Sequence, residues 1–308
     1  MSGLDDVLVV TVRKSFWASS EAERWPRRLY ARVLYGHSTN ISSSVFVFAR
    51  ALVVIWLRPP RLVLLGSVER TVPWFIRARA SGLLRGARLA VTNQLNLAPA
   101  QLAHVDRVVV YARSQAEALG EKGAFVPLPP DGDLEAALAG SDAGNYIFAG
   151  GSAGRDYPTL AAAARGTSLQ IEVVTFAPGG FEAPPNVHVH GPMPLQAFLE
   201  RMAGSVAVVV PVDRADSPHG QTTVIQALAL GKAVVATRSV GLIDYVRDGE
   251  NGYLVEAGDV DGLRRALLRL VEDGELRGRL AARARAEAGA LSYANYAERL
   301  ERVCRALL

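Results

Sequence analysis

Short runs of consecutive apolar residues, alternating with helix-like stretches, constrain this chain more than any other feature. Asp6–Val12, Arg61–Gly66, Ala87–Thr92 and Arg107–Tyr111 are apolar at nearly every position rather than at every second one. A strand buried on both faces of a parallel sheet has that character, whereas a half-solvated antiparallel strand alternates. Helical stretches at 74–84 and 114–119 separate them, so the pattern predicts βαβ units in one open sheet. It breaks at the proline-rich turn cluster Pro127–Asp133 and then restarts. Asn145–Ala149, Leu169–Thr175, Val187–His190, Val206–Val210, Lys232–Ala236 and Gly252–Val255 read as strands, with helices at 159–164, 195–202 and 223–230. Two doubly wound α/β domains follow, 1–130 and 131–308, a division that suits 308 residues. Residues 261–289 read as helical. A last amphipathic helix at 294–308, with Tyr296, Leu300, Val303 and Leu307 on one side, is placed to pack back on the first domain.

A single cysteine, Cys304, excludes an intramolecular disulfide and a multi-cysteine metal site, and no metal-ligand spacing such as His-x3-His occurs. With no export signal to read, the expected location is the cytoplasm. The longest apolar run, Val45–Leu57, is interrupted by Arg50 and falls short of the roughly 20 residues that span a bilayer, so it reads as a buried helix. Charge is uneven. Residues 1–133 hold 17 Lys and Arg against 10 Asp and Glu, with arginines clustered at 24, 27, 28 and 32 and again at 77, 79, 85 and 88. Such clusters read either as solvated helix faces or as a patch for an anionic acceptor or a membrane surface. Nucleic acid fits less well, because the clusters lack the interleaved aromatics of a known binding module.

Two stretches of the second half carry the chemistry. In 148–160 a glycine-rich turn containing Gly150 and Gly151 follows a strand, and Arg155 precedes a helix start. Glycines let backbone amides approach an anion closely, and the arginine adds a fixed charge. In 217–237 a loop through His219 and Gly220 feeds a helix whose first turn holds Gln221, Thr222 and Thr223. The unpaired amides and hydroxyls of that turn suit a diphosphate. Each stretch taken alone also has a purely structural reading, as a tight turn or a helix cap.

Together with Gly231–Thr237, Gly241–Val255 and Gly258-Asp259, these segments resemble the C-terminal domain of glycosyltransferase family 4 from about residue 145 onward. Asn186–Pro194 resembles that family's loop beside the nucleobase, with Met193 in it, and Pro127–Asp133 resembles its interdomain turn. The resemblance implies a GT-B fold, two Rossmann-like domains, with a nucleotide-sugar donor held by the second. It implies retaining, metal-independent transfer to an acceptor hydroxyl, with Arg155 in the place of the phosphate-binding lysine and Lys232 as a further cation for the diphosphate. The sequence departs from the family at both acidic positions. Pro218 stands at the first, and Gln226 at the second, where the ribose is hydrogen-bonded. A donor with fewer hydroxyls, such as a thymidine-diphosphate deoxysugar, would tolerate those losses, and UDP, GDP and dTDP all stay open as carriers. No separate cofactor is expected.

In the first half the family's catalytic-side histidine is replaced by Asn93-Gln94, leaving Asn93, Glu69 and the loop Gly36–Ser42 with His37 as candidates beside His219. Strand ends are where ligands sit in open parallel sheets. Two other readings remain: a non-catalytic partner protein that has lost both glutamates, and a nucleotide-sugar epimerase. A dinucleotide oxidoreductase is disfavoured, because no strand end carries G-x-G-x-x-G with an acidic residue about 20 positions on.

Overall fold

The computed structural model describes residues 6–12, 32–36, 41–66, 70–93 and 97–308. The chain divides into two compact units, Met1–Pro127 with Tyr293–Leu308, and Leu128–Ser292.

The first unit holds strands β1 (Val7–Val12), β2 (Arg32–Gly36), β3 (Leu62–Gly66), β4 (Arg88–Thr92), β5 (Arg107–Val110) and β6 (Gly123–Phe125). They pair in parallel in the order β2-β1-β3-β4-β5-β6. Its helices are α1 (Ile41–Leu57), α2 (Val72–Ala80), α3 (Pro99–Leu102) and α4 (Arg113–Ala118). Leu8, Val10, Val63, Leu65, Leu89, Val91, Val108 and Val110 bury their side chains in one cluster with Val47, Ala51, Ile55 and Phe75 of the helices. The alternate residues Val7, Val9, Leu62, Leu64, Ala90 and Val109, on the opposite face, are buried as well, and that two-sided burial is the physical reason the strands are apolar throughout. The helix at 45–57 corrects one expectation: it forms, but only one side is buried, and Val45, Phe46, Val53, Trp56 and Leu57 are exposed.

The second unit holds α5 (Leu134–Ala139), β7 (Ile147–Gly150), α6 (Tyr157–Ala164), β8 (Ile171–Val174), β9 (Val187–His190), α7 (Leu195–Gly204), β10 (Ala207–Val210), α8 (Gln221–Ala229), β11 (Val234–Thr237), β12 (Gly252–Val255), α9 (Val260–Glu272) and α10 (Gly274–Ala288). The sheet is again parallel, ordered β12-β11-β10-β7-β8-β9. The winding reverses between β7 and β10, so a crevice for a ligand is expected outside the carboxyl ends of these two strands. The single helical stretch read at 261–289 is two helices. Asp273 ends α9, and its side chain caps α10 by accepting from the Leu276 amide at 2.8 Å. Helix α11 (Tyr293–Arg305) buries Tyr296, Ala297, Leu300 and Cys304, and the Leu308 carbonyl accepts from the Arg61 guanidinium.

The Asp-Gly-Glu-Asn-Gly turn before β12 is held by Asn251, which is 1% exposed. Its amide nitrogen donates to the Tyr245 carbonyl (3.0 Å) and to Glu287 of α10 (2.9 Å), and its oxygen accepts from the Arg247 amide (2.8 Å). Arg247 and Arg283 also pair with Glu287. Burial acts to raise the Glu287 pKa, but the hydrogen bonds from Arg247 and Asn251 and the charges of Arg247 and Arg283 outweigh it and hold the carboxyl below its ordinary 4.5. A carboxylate depressed in the folded state stabilises fully above its unfolded pKa and loses that contribution as pH falls through the folded value. Glu287→Gln is therefore expected to unfold at lower denaturant than the parent at neutral pH, with the gap narrowing as the solution is acidified below pH 4.5. Urea titrations across that range check it, and a gap independent of pH would contradict it.

Candidate functional site

The site at the β7/β10 crevice starts from backbone geometry. β7 ends at Gly150, and the chain turns at once through Gly151, whose φ of +106° is closed to ordinary side chains. A Cβ there would also lie 2.6 Å from the Arg155 guanidinium. The turn is closed by Tyr157, whose hydroxyl donates to the Gly151 carbonyl at 2.5 Å. Burial pushes that phenol up to about 12, so it stays a donor at any working pH. Helix α6 then starts at the Asp156 cap, whose carboxylate accepts from the Thr159 amide at 3.0 Å.

Arg155 is held across this turn. Its Nε donates to the Gly150 carbonyl (3.0 Å), Nη1 to the Ala153 carbonyl (2.9 Å) and Nη2 to Thr223 Oγ1 on α8 (3.1 Å). These partners are two carbonyls and a hydroxyl, none of them an anion. Burial pulls the guanidinium pKa down, and the ionised form persists because arginine starts so high. A partly buried cation held by neutral acceptors is poised to gain from an arriving anion.

Across the crevice, β10 runs into the loop 211–220 and then α8. Gly220 caps the helix at φ +101°, and a Cβ on it would lie 2.9 Å from Leu242 and 3.1 Å from Val210. The first bond of the helix runs from the Val224 amide to the Gly220 carbonyl (3.1 Å), so the amides of Gln221, Thr222 and Thr223 lie outside its own ladder. Thr222 is exposed, whereas Thr223 and Gln221 are buried. Just before the cap, the His219 ring rests against Gly154, and its Nδ1 is 3.0 Å from the hydroxyl of buried Ser217. With Nδ1 occupied, Nε2 is the ring nitrogen left for a ligand.

The structure brings Gly150, Gly151, Arg155, His219, Gly220, Gln221, Thr222 and Thr223 to this one crevice. Gln226 lies a turn deeper and is 3% exposed, with its amide nitrogen donating to the Asp131 carbonyl at 3.2 Å. Its Oε1 and the second hydrogen of its amide nitrogen are left for a ribose hydroxyl. Met193, half-buried, follows β9 on the same edge of the sheet. Lys232 is a correction. It follows α8 and donates to the Ser205 carbonyl (2.8 Å), ahead of β10, and so belongs to the amino edge of the sheet, away from the crevice. Burial and the charges of Arg285 and Arg277 lower its pKa there. In the first unit Asn93 stands at the carboxyl end of β4 with φ +53°, its amide donating to the Val109 carbonyl at 2.8 Å. Glu69 and His37 lie outside the described residues.

Sequence reasoning missed Ser217 and Tyr157, which hold the histidine and the glycine turn. It also missed the cluster in which Glu172 of β8 accepts from Arg201 of α7 (2.7 Å) and meets His190 of β9 (2.6 Å). Among the described residues, no three His, Cys, Asp or Glu side chains gather to hold a metal ion.

Comparisons with known proteins agree on the fold. The fold is similar to that of a glycosyltransferase from Rickettsia africae (TM-score 0.71, 12% identity, 98% of each chain). It is also similar to Anabaena HepE crystallised with UDP-glucose (0.67, 14%, 97% of this chain and 99% of that one). Sucrose-phosphate synthase of Thermosynechococcus elongatus matches too (0.67, 16%, 98% of each). In sequence, 60 residues are 47% identical to the lipopolysaccharide core biosynthesis glycosyltransferase LpsE of Rhizobium meliloti, covering 20% of this chain and 18% of that relative. Fold and crevice define the class, an α/β protein of the GT-B glycosyltransferase architecture. Over residues 180–287 its second unit matches the family Glycosyl transferases group 1.

Proposed function

We propose that the chain transfers a sugar from a nucleoside-diphosphate donor to an acceptor hydroxyl, with retention and without a metal ion. The observation that carries this reading is the Arg155 guanidinium, tied to the amino end of α8 and lacking an anionic partner among its hydrogen bonds. In the reaction the bond from the anomeric carbon to the diphosphate oxygen breaks, the acceptor oxygen takes its place, and the hydroxyl proton is released. Arg155, the free amides of α8 and Thr222 meet the charge that grows on the diphosphate, and fixed donors of this kind need no rearrangement as it develops. His219, oriented through Ser217, presents Nε2 to the sugar or its β-phosphate. On the acceptor side, Asn93 and Glu69 are the proposed contacts.

Gln226 offers a ribose one acceptor where a glutamate would offer two, so the pocket reads fewer sugar hydroxyls. The UDP complexes of HepE favour a uridine carrier, and a thymidine carrier is tolerated on this account. Calorimetry with UDP, GDP and dTDP, followed by NMR of the anomeric proton in the product, tests these points. UDP and dTDP are expected to bind within about tenfold of each other, since one lost hydrogen bond is worth roughly 1 kcal/mol, and the product is expected to keep the donor's anomeric configuration. His219→Ala is expected to lower kcat with donor affinity nearly unchanged. Nucleotide binding without any transfer or hydrolysis would favour the rival reading, a non-catalytic partner protein, which the replaced glutamates also suit. No nucleotide binding at all would remove both.

A further inference from the structure

Helix α1 of the first unit has two apolar sides, and only one has a partner among the described residues. Val47, Ala51 and Ile55 are at most 4% exposed in the core. The opposite side is formed by Val45, Phe46, Ala49, Val53, Trp56 and Leu57, which span roughly 120° of the circumference at 3.6 residues per turn. Phe46 is 62% exposed, Trp56 55% and Leu57 82%. A surface helix in water ordinarily turns polar residues outward. Among the described residues, the charged ones on or beside that side are arginines. Arg50 lies 5.7 Å from the Phe46 ring centroid, and Arg58 follows the helix. Arg85 reaches in from the turn after α2, 5.2 Å from the Trp56 ring, and donates to the Trp56 carbonyl at 2.9 Å. It does so with φ +52°, a conformation a non-glycine residue adopts at a cost, two residues after the exposed Leu83. Helix α1 itself contains no Asp or Glu.

We infer that this side of α1 docks the chain on an anionic bilayer surface, with the helix lying in the headgroup plane. Its aromatic and aliphatic side chains enter the acyl boundary, while the arginines lie over the rings and keep their charges at phosphate level. At 17 residues the helix is about 25 Å long, and among the described residues no helix is long and apolar enough to cross a membrane. Charge selects this occupant over a second copy. Pairing α1 with itself about a two-fold axis would bring Arg50, near the middle of the helix, toward its equivalent, with no carboxylate on either helix to answer it. The cationic excess of residues 1–133 acts in the same direction. This inference is independent of the proposed glycosyl transfer.

The test is flotation of the full chain with phosphatidylcholine vesicles, with and without phosphatidylglycerol. Binding is expected to the anionic vesicles and to weaken with salt. It should bring a blue shift of tryptophan emission that Trp56→Phe removes while keeping most of the binding. Phe46→Ser with Trp56→Ser, both at exposed positions, should lower the partition coefficient at least about tenfold. Arg50→Glu alone should lower it by about the same factor on anionic vesicles and little on neutral ones. The idea is overturned by three outcomes: no binding, equal binding to neutral and anionic vesicles, or anionic binding that neither variant changes. Sedimentation showing a dimer abolished by the serine pair, with no vesicle binding, would assign the face to a second copy instead.

Discussion

Replacing Arg155 with alanine is expected to lower kcat/KM for the donor about 100-fold while leaving the melting temperature near that of the parent. The size follows from charge-assisted hydrogen bonds to a diphosphate, worth about 1.5–3 kcal/mol each; roughly 2.7 kcal/mol is two decades of rate. The unchanged stability follows from what Arg155 does in the free protein. It is a partly buried cation bonded to the carbonyls of Gly150 and Ala153 and to Thr223, so its removal relieves some desolvation cost as it loses those bonds. Arg155→Lys should recover only part of the loss, because an ammonium cannot span both the Gly150 carbonyl and Thr223 with a planar fork. UDP titration calorimetry beside thermal melts separates the two quantities. A variant that binds UDP as well as the parent would show that the guanidinium holds the turn and nothing else.

The second large effect is expected at Gly220. Gly220→Val forces a β-branched residue to φ +101° and drives its Cβ against Leu242 and Val210. The second unit should lose about 2–4 kcal/mol, the range for backbone strain combined with overpacking. UDP affinity should fall by at least about tenfold, as the amides of Gln221 to Thr223 are displaced from their aim. Gly220→Ala should show both effects at smaller size. Denaturant titration and calorimetry measure them, and a valine variant as stable as the parent would mean that the turn relaxes without consequence.

The sheets were legible because a strand covered on both faces must be apolar throughout, and most strand runs of both halves form within two residues of the expected places. What escaped was short or locally ambiguous. β2 (Arg32–Gly36) follows an arginine-rich stretch that masks it, and β6 (Gly123–Phe125) is only three residues long. The break at Asp273 was hidden in an otherwise continuous helical composition, although Asp273 repeats the cap signal that Asp259 gives. Within the site, glycines and hydroxyls before a helix announce themselves locally. The Arg155–Thr223 and Gln226–Asp131 bonds join residues 68 and 95 positions apart and exist only once the sheet has formed. Lys232 shows the reverse error. It adjoins the family motif in sequence, yet nine residues of α8 carry the chain about 13 Å toward the opposite edge of the sheet. Helix α1 was read as buried because its composition is apolar all round, and composition does not say which side meets a neighbour.

The grouping of Tyr293–Leu308 with residues 1–127 bears on how the polypeptide matures. Leu128–Ser292 is contiguous and can condense once those residues leave the ribosome, whereas the earlier-made unit waits for its last helix until residues 293–308 have been synthesised. During that interval the surface meant for Tyr296, Leu300 and Cys304 stands open to chaperones, so nascent chains stalled before residue 293 should be captured mainly through the half synthesised first.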